Sequence, residues 1–161
     1  MQRRHPGIAT VRSWTTRSPR AGDGAGKTYE HVTRPEFDAL RGSGRMLEWA
    51  EVHGELYGTP RHEVERLLGE GRDVLLEIDV QGAKQVKSAM PEAVTIFIEP
   101  PSWEVLERRL TGRGTEEAAD RRRRLETARR ELEEAGSFDH RVVNEDLAEA
   151  VELVDRILIS R

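Results

Sequence analysis

The chain contains no cysteine. A disulfide framework and a thiolate metal site are therefore excluded. The five histidines (His5, His31, His53, His62 and His140) show no metal-ligand spacing. No apolar run approaches the length of a membrane span, and the N-terminus lacks the apolar core of a signal peptide. The expected location is the cytoplasm, with no membrane partner. Net charge is only −4 over 161 residues. No global field steers the chain to nucleic acid, and none is expected as a partner. Internal repeats and low-complexity linkers are missing too, and nothing in the pattern bears on oligomeric state.

What is present is 36% apolar and 35% charged residues, which suits one soluble, helix-rich domain with a single sizeable core. Basic residues cluster locally at Arg12–Arg20, Arg108–Arg113 and Arg121–Arg124. Short strands are expected at Ile8–Ser13 and Tyr29–Val32. Thr33 then caps a helix to about Arg41, with Glu36 placed to close a capping box and Gly42 and Gly44 ending it. Met46–His53 reads as a half-buried strand. Gly58-Thr59-Pro60 is expected to start a short helix with Val64, Leu67 and Leu68 on one face. Asp73–Asp79 is the best candidate for a buried strand, followed by a helix to Met90 and a second buried strand at Ala93–Ile98. Ser102 caps a helix to about Thr111, and a long charged helix covers roughly Glu116–Ala135. Val142-Val143 reads as a short strand, and Asp146 opens a final amphipathic helix. This alternation predicts an α/β fold on a parallel sheet with right-handed crossovers.

Residues 21–28, AGDGAGKT, fit the loose form of a phosphate-binding P-loop. The loop works only between a buried strand and a helix N-terminus. Here Arg17-Ser18-Pro19-Arg20 precedes it and the strand-like Tyr29–Val32 follows it, so the stretch reads as a glycine-rich surface turn. Chemistry is better sought at strand ends, where such sheets bind ligands. Two places qualify: Glu77 and Asp79, carboxylates that can hold or orient Mg²⁺, and the turn Gly112-Arg113-Gly114-Thr115.

Five segments together carry more than any one of them. TTRSPRAGD with its downstream tyrosine, LEWAEVHGELYGTP, DVLLEIDVQGAKQV, RRLTGRGTE and VVNEDL follow in order and at suitable separations from about residue 5 to the C-terminus. In this the chain resembles the guanylate kinase family. The resemblance implies a P-loop nucleoside monophosphate kinase fold, with a parallel-sheet core, a small mixed-β GMP-binding subdomain at about 13–70 and a helical lid at about 111–130, within one domain spanning 1–161. It implies transfer of the γ-phosphate of ATP to GMP with Mg²⁺, a step of purine nucleotide metabolism. Ser13, Arg17, Arg20, Tyr29 and Tyr57 would hold the GMP phosphate, the arginines through their planar forks. Glu48 would accept from the guanine N1–H and exocyclic amine, Thr59 would stand near O6, and Asp79 would be a second carboxylate on the guanine side. Glu77 would lie near Mg²⁺. Arg113 and Arg124 would close over the transferring phosphoryl group as catalytic charges, and Asn144 would lie near adenine. Arg121 and Arg122 read as a solvated helix face, and Trp49 as core. Trp14 and Arg12 depart from the small and apolar residues usual beside Ser13.

Relatives begin with a strand, a P-loop and a helix, and Met1 matches the end of that helix. The expectation is that the true start lies upstream; this chain alone lacks the P-loop Lys and Ser/Thr that grip the ATP phosphates and Mg²⁺, so its activity by itself stays open. The alternative is a chain that has shed its ATP site and serves as a non-catalytic guanylate-kinase-like module binding GMP or a phosphopeptide. A third reading makes AGDGAGKT the P-loop of an unrelated NTPase.

Overall fold

The computed structural model describes residues 4–19, 29–52, 54–111 and 118–160. The chain divides into two compact units, Met1–Ala93 and Val94–Arg161.

In the first unit the expected strand at residues 8–13 is split. β1 (Ala9–Thr10) pairs in parallel with β6 (Val74–Leu75), and β2 (Ser13–Thr15) joins a different sheet. That sheet has the order β3-β2-β5-β4, with β3 (Tyr29–His31), β4 (Met46–Val52) and β5 (Glu55–Pro60). The β2–β3 pair is parallel; β2–β5 and β4–β5 are antiparallel. The sheet is therefore mixed, as the resemblance implies.

Helix α1 (Arg34–Gly42) starts as its sequence demands. Thr33 accepts from the Glu36 N–H while Glu36 accepts from the Thr33 N–H, and Pro35 sits in the first turn. The Thr33 N–H and the Thr33 hydroxyl, both donating to it, hold the exposed Glu36 carboxyl below its ordinary value. Gly44, at φ 70°, turns the chain out of the helix. The inner face of α1 presents Phe37, which is fully buried with Met46 and Leu56 and flanked by Trp14, Val32, Leu40 and Trp49. This cluster covers the back of the mixed sheet.

A second cluster joins Leu47 to Val64 of α2 (Arg61–Gly69) and Val86 of α3 (Val80–Ala89). Met46 and Leu47 thus face opposite ways, as neighbours on a strand should. Alternation then breaks. The β4–β5 register shifts between Met46 and Glu48, and Glu48 pairs with Thr59. This irregularity turns Glu48 to the side of Leu47, away from Met46 and Trp49, which is what a bulge does beside a functional group.

Three further sequence expectations for this unit need correction. Gly58, Thr59 and Pro60 do not start a helix; they end β5, and α2 begins at Arg61. Leu68 does not share the buried face of Val64 and Leu67 but is 44% exposed. The run Asp73–Asp79 is a strand only at Val74–Leu75, because its partner β1 supplies just two residues of ladder; Glu77 is exposed and Asp79 already caps α3.

In the second unit β7 (Ile96–Glu99) and β8 (His140–Val143) pair in parallel. Ile98 is 49% exposed, so the strand is not buried along its length. Helices α4 (Trp103–Thr111), α5 (Ala118–Glu133) and α6 (Leu147–Ile159) complete it. Asp146 caps α6 by accepting from the Ala148 and Glu149 N–H groups. Among the described residues no helix is long and apolar enough to cross a membrane.

Candidate functional site

Strand register alone collects five of the eight candidate GMP residues on one face. Ser13 lies opposite Tyr29 in the β2–β3 pair, and Thr15, two residues on, lies opposite Tyr57 of β5. Tyr57 and Thr59 share a face by the period-2 rule, and Thr59 lies opposite Glu48. This is the front of the mixed sheet; Trp14, Trp49 and Gly58 point to the back, where Phe37 packs.

Two groups of side chains stand on that front. At the β2–β3 side, the Arg17 guanidinium lies 5.6 Å from the centre of the Tyr29 ring, and Tyr29 meets Tyr57 edge to face at 5.7 Å. The segment carrying Arg17 is fixed from both sides. The Arg17 N–H donates to the buried Thr15 hydroxyl at 3.2 Å, and His31 Nδ1 donates to the Arg17 carbonyl at 2.7 Å. Two phenol hydroxyls, a guanidinium and the Ser13 hydroxyl together suit an anion with several oxygens. Arg20 lies outside the described residues, as does the whole stretch 21–28 with Lys27.

At the β4–β5 side stands Glu48, 4% exposed, accepting at Oε1 from the Thr59 hydroxyl at 2.5 Å. Its carboxyl titrates above the ordinary value. Burial is the main cause, the Thr59 hydroxyl pulls it partly back, and the Asp79 charge adds to the rise. The other carboxylate oxygen faces α3, where a Cβ built on Gly82 would lie 2.6 Å from Oε2. Asp79 is the N-cap of that helix and accepts from the Gly82 N–H at 2.8 Å. A dry carboxylate that can accept two parallel N–H donors, beside a second carboxylate, suits a ligand edge that presents two donors.

Glu77 lies exposed in the first unit, between β6 and α3, and the second unit carries the remaining described candidates. Arg124 sits half-buried on α5, and Asn144 follows β8 with its N–H donating to the Glu99 carbonyl at 2.7 Å. Arg122 is exposed, and Arg113 lies outside the described residues. Among the described residues no three acidic or histidine side chains come together as a metal cage. The described donors therefore do not by themselves form a Mg²⁺ cage.

The guanylate kinase family model matches residues 4–161. The chain belongs to the guanylate kinase family. It is 52% identical over 157 residues to the guanylate kinase of Leifsonia xyli subsp. xyli, covering 96% of this chain and 62% of that protein. It is 47% identical over 163 residues to the guanylate kinase of Rhodococcus jostii, covering 100% of this chain and 79% of that one. The chain thus spans less than two thirds of the first of these relatives. Among solved structures, the crystal structure of guanylate kinase from Anaplasma phagocytophilum matches with a TM-score of 0.82 at 38% identity, over 96% of this chain and 76% of that one. Family membership agrees with the five motifs and with a fold that has a mixed sheet and parallel strand pairs.

Sequence reasoning passed over two residues of this neighbourhood, Gly82 and Gln85. The spacing of three along a helix opened by Asp79 was the available signal, since it puts both on one face.

Proposed function

We propose that the chain is a guanylate kinase, transferring the γ-phosphate of ATP to GMP to give ADP and GDP. The observation that carries this reading is the Glu48–Thr59 pair. A carboxylate held dry against a hydroxyl and a second carboxylate matches the N1–H and exocyclic amine of guanine, and adenine lacks that donor pair. Ser13, Arg17, Tyr29 and Tyr57, at the other end of the same sheet face, would hold the GMP phosphate together with Arg20. Residues at about 13–70 would form the GMP-binding subdomain and about 111–130 the lid.

On the ATP side Arg113 and Arg124 would stabilise charge spread over the transferring phosphoryl oxygens, and Asn144 would lie near adenine. The work asked of them is electrostatic, because a loose, metaphosphate-like transition state leaves little covalent chemistry to the protein. Mg²⁺ would arrive with the nucleotide phosphates, with Glu77 as a nearby carboxylate, since this ion keeps much of its water and takes few protein ligands. We further propose the cytoplasm as the location.

The test is ADP formation by the purified chain with ATP and Mg²⁺, with GMP or AMP as acceptor. Selectivity for GMP over AMP of at least about a hundredfold, in turnover or in binding, is the expected result. Equal rates with the two acceptors sink the guanine assignment. Selective GMP binding without turnover leaves two readings, a kinase lacking its ATP-phosphate grip and a binding module.

A further inference from the structure

Among the described residues β4 is an outer strand, paired in its sheet by β5 alone. Such a strand presents a row of N–H and C=O groups that lack ladder partners. At Trp49, the residue after Glu48, one side chain takes both. Gln85 Nε2 donates to the Trp49 carbonyl at 2.7 Å, and Gln85 Oε1 accepts from the Trp49 N–H at 3.2 Å. The Gln85 amide thus stands in for a neighbouring strand at one position, and that position adjoins the candidate base reader.

One turn earlier on the same face of α3 is Gly82. Glycine inside a helix costs about 1 kcal/mol relative to alanine. Its backbone gives no reason for glycine, since the positive-φ glycines among the described residues are Gly44, Gly54 and Gly71. Packing does give one. An added Cβ would lie 2.6 Å from Glu48 Oε2 and 3.2 Å from Glu48 Cδ, with Ile78 Cβ at 3.2 Å closing another side. Any larger residue at 82 moves the Glu48 carboxylate.

We propose that Gly82 and Gln85 are positioning residues for Glu48. Gly82 leaves the space the carboxylate occupies, Gln85 pins the backbone from which it projects, and together they set the discrimination of guanine from adenine. The inference deepens the GMP reading above and rests on it. It requires no contact between either residue and the nucleotide.

The experiment is calorimetric titration of the full chain with GMP and with AMP, for the wild type, Gly82→Ala and Gln85→Met, each also in a Glu48→Ala background. Each variant is expected to lower GMP affinity about tenfold or more while AMP affinity moves less than about twofold. In the Glu48→Ala background neither substitution is expected to change GMP affinity further, the signature of two residues acting through a third. Equal losses for GMP and AMP, or an undiminished loss without Glu48, indicate general loosening and overturn the proposal. Melting curves confirm folding, and if Gln85→Met does not fold, Gln85→Glu, which retains only the acceptor for the Trp49 N–H, takes its place with the same readings. A second measurement needs no nucleotide: carboxyl-carbon NMR titration of Glu48 in the ligand-free chain. A shifted midpoint in Gly82→Ala and Gln85→Met is expected, and unshifted midpoints overturn the positioning claim. Failure of the wild type to bind GMP sinks the function reading, and the NMR titration still decides the claim about Glu48.

Discussion

Glu48 and Thr59 face each other across the β4–β5 pair, and the Thr59 hydroxyl donates to the carboxylate at 2.5 Å with both residues almost wholly out of water. A charge-assisted bond of this kind fixes the direction of the acceptor. It offsets only part of what burial of a charge costs. The raised pKa of Glu48 reflects that balance, with burial the larger influence.

Glu48→Gln is therefore expected to act in opposite directions on stability and on binding. The folded-state pKa of Glu48 lies above its ordinary value of 4.5. Its protonated form is favoured on folding, so this contribution is fully present below the unfolded value and is lost as pH rises through the folded one. The ligand-free variant should equal the wild type in stability at low pH and exceed it at neutral pH. GMP affinity should fall about tenfold to a hundredfold, because the ionised acceptor is gone. Denaturant midpoints across pH, with GMP titrations at neutral pH, check both. A variant less stable than the wild type at neutral pH contradicts the desolvation account.

Thr59→Val keeps the shape of the side chain and removes the donor. The buried carboxylate loses its hydroxyl partner, which should destabilise the ligand-free chain by about 1–3 kcal/mol at neutral pH. The loss should shrink as pH falls and Glu48 becomes protonated. Thermal melts at two pH values measure this, and a pH-independent loss would mean that Thr59 matters for packing alone.

Local chemistry was legible in the sequence. The Thr33–Glu36 capping box and the Asp146 cap were readable because donors and acceptors lie within three residues of each other. The face shared by Ser13, Tyr29, Tyr57, Thr59 and Glu48 was legible only through family resemblance, since register between strands is a long-range property. β5 was missed because Gly58-Thr59-Pro60 carries turn chemistry, yet Gly58 is there for space: a Cβ would lie 2.8 Å from the Glu48 carbonyl oxygen and 3.0 Å from Phe37 Cζ. The apolar run at 73–79 looked like a long strand because composition records burial and not partners. The Gln85 clamp joins residues 36 apart and leaves no local trace.

Gly58→Ala follows from the same geometry. The nearest obstacle is backbone, which cannot swing aside, and Phe37 and Trp49 close the other directions. Overpacking of this kind costs about 1–3 kcal/mol. For a chain of this size that is a fall of about 2–4 °C in Tm for each kcal/mol. Since the strain bears on the Glu48 main chain, GMP affinity should fall as well. A variant with unchanged Tm would show that β4 and β5 can separate without loss.

Arg17→Lys tests the other end of the face. Arginine presents a planar fork that can hold two phosphate oxygens at once and can lie against the Tyr29 ring, whereas lysine offers a point charge. Charge is conserved, so any loss belongs to geometry. GMP affinity should fall about tenfold, the range for one charge-assisted bond. Guanosine, which has no phosphate, should bind the variant and the wild type alike. Competition titrations with GMP and guanosine separate the two ends of the site. A parallel loss for guanosine would move Arg17 from the phosphate grip to the support of β2 and β3, where the Thr15 and His31 bonds to its backbone already place it.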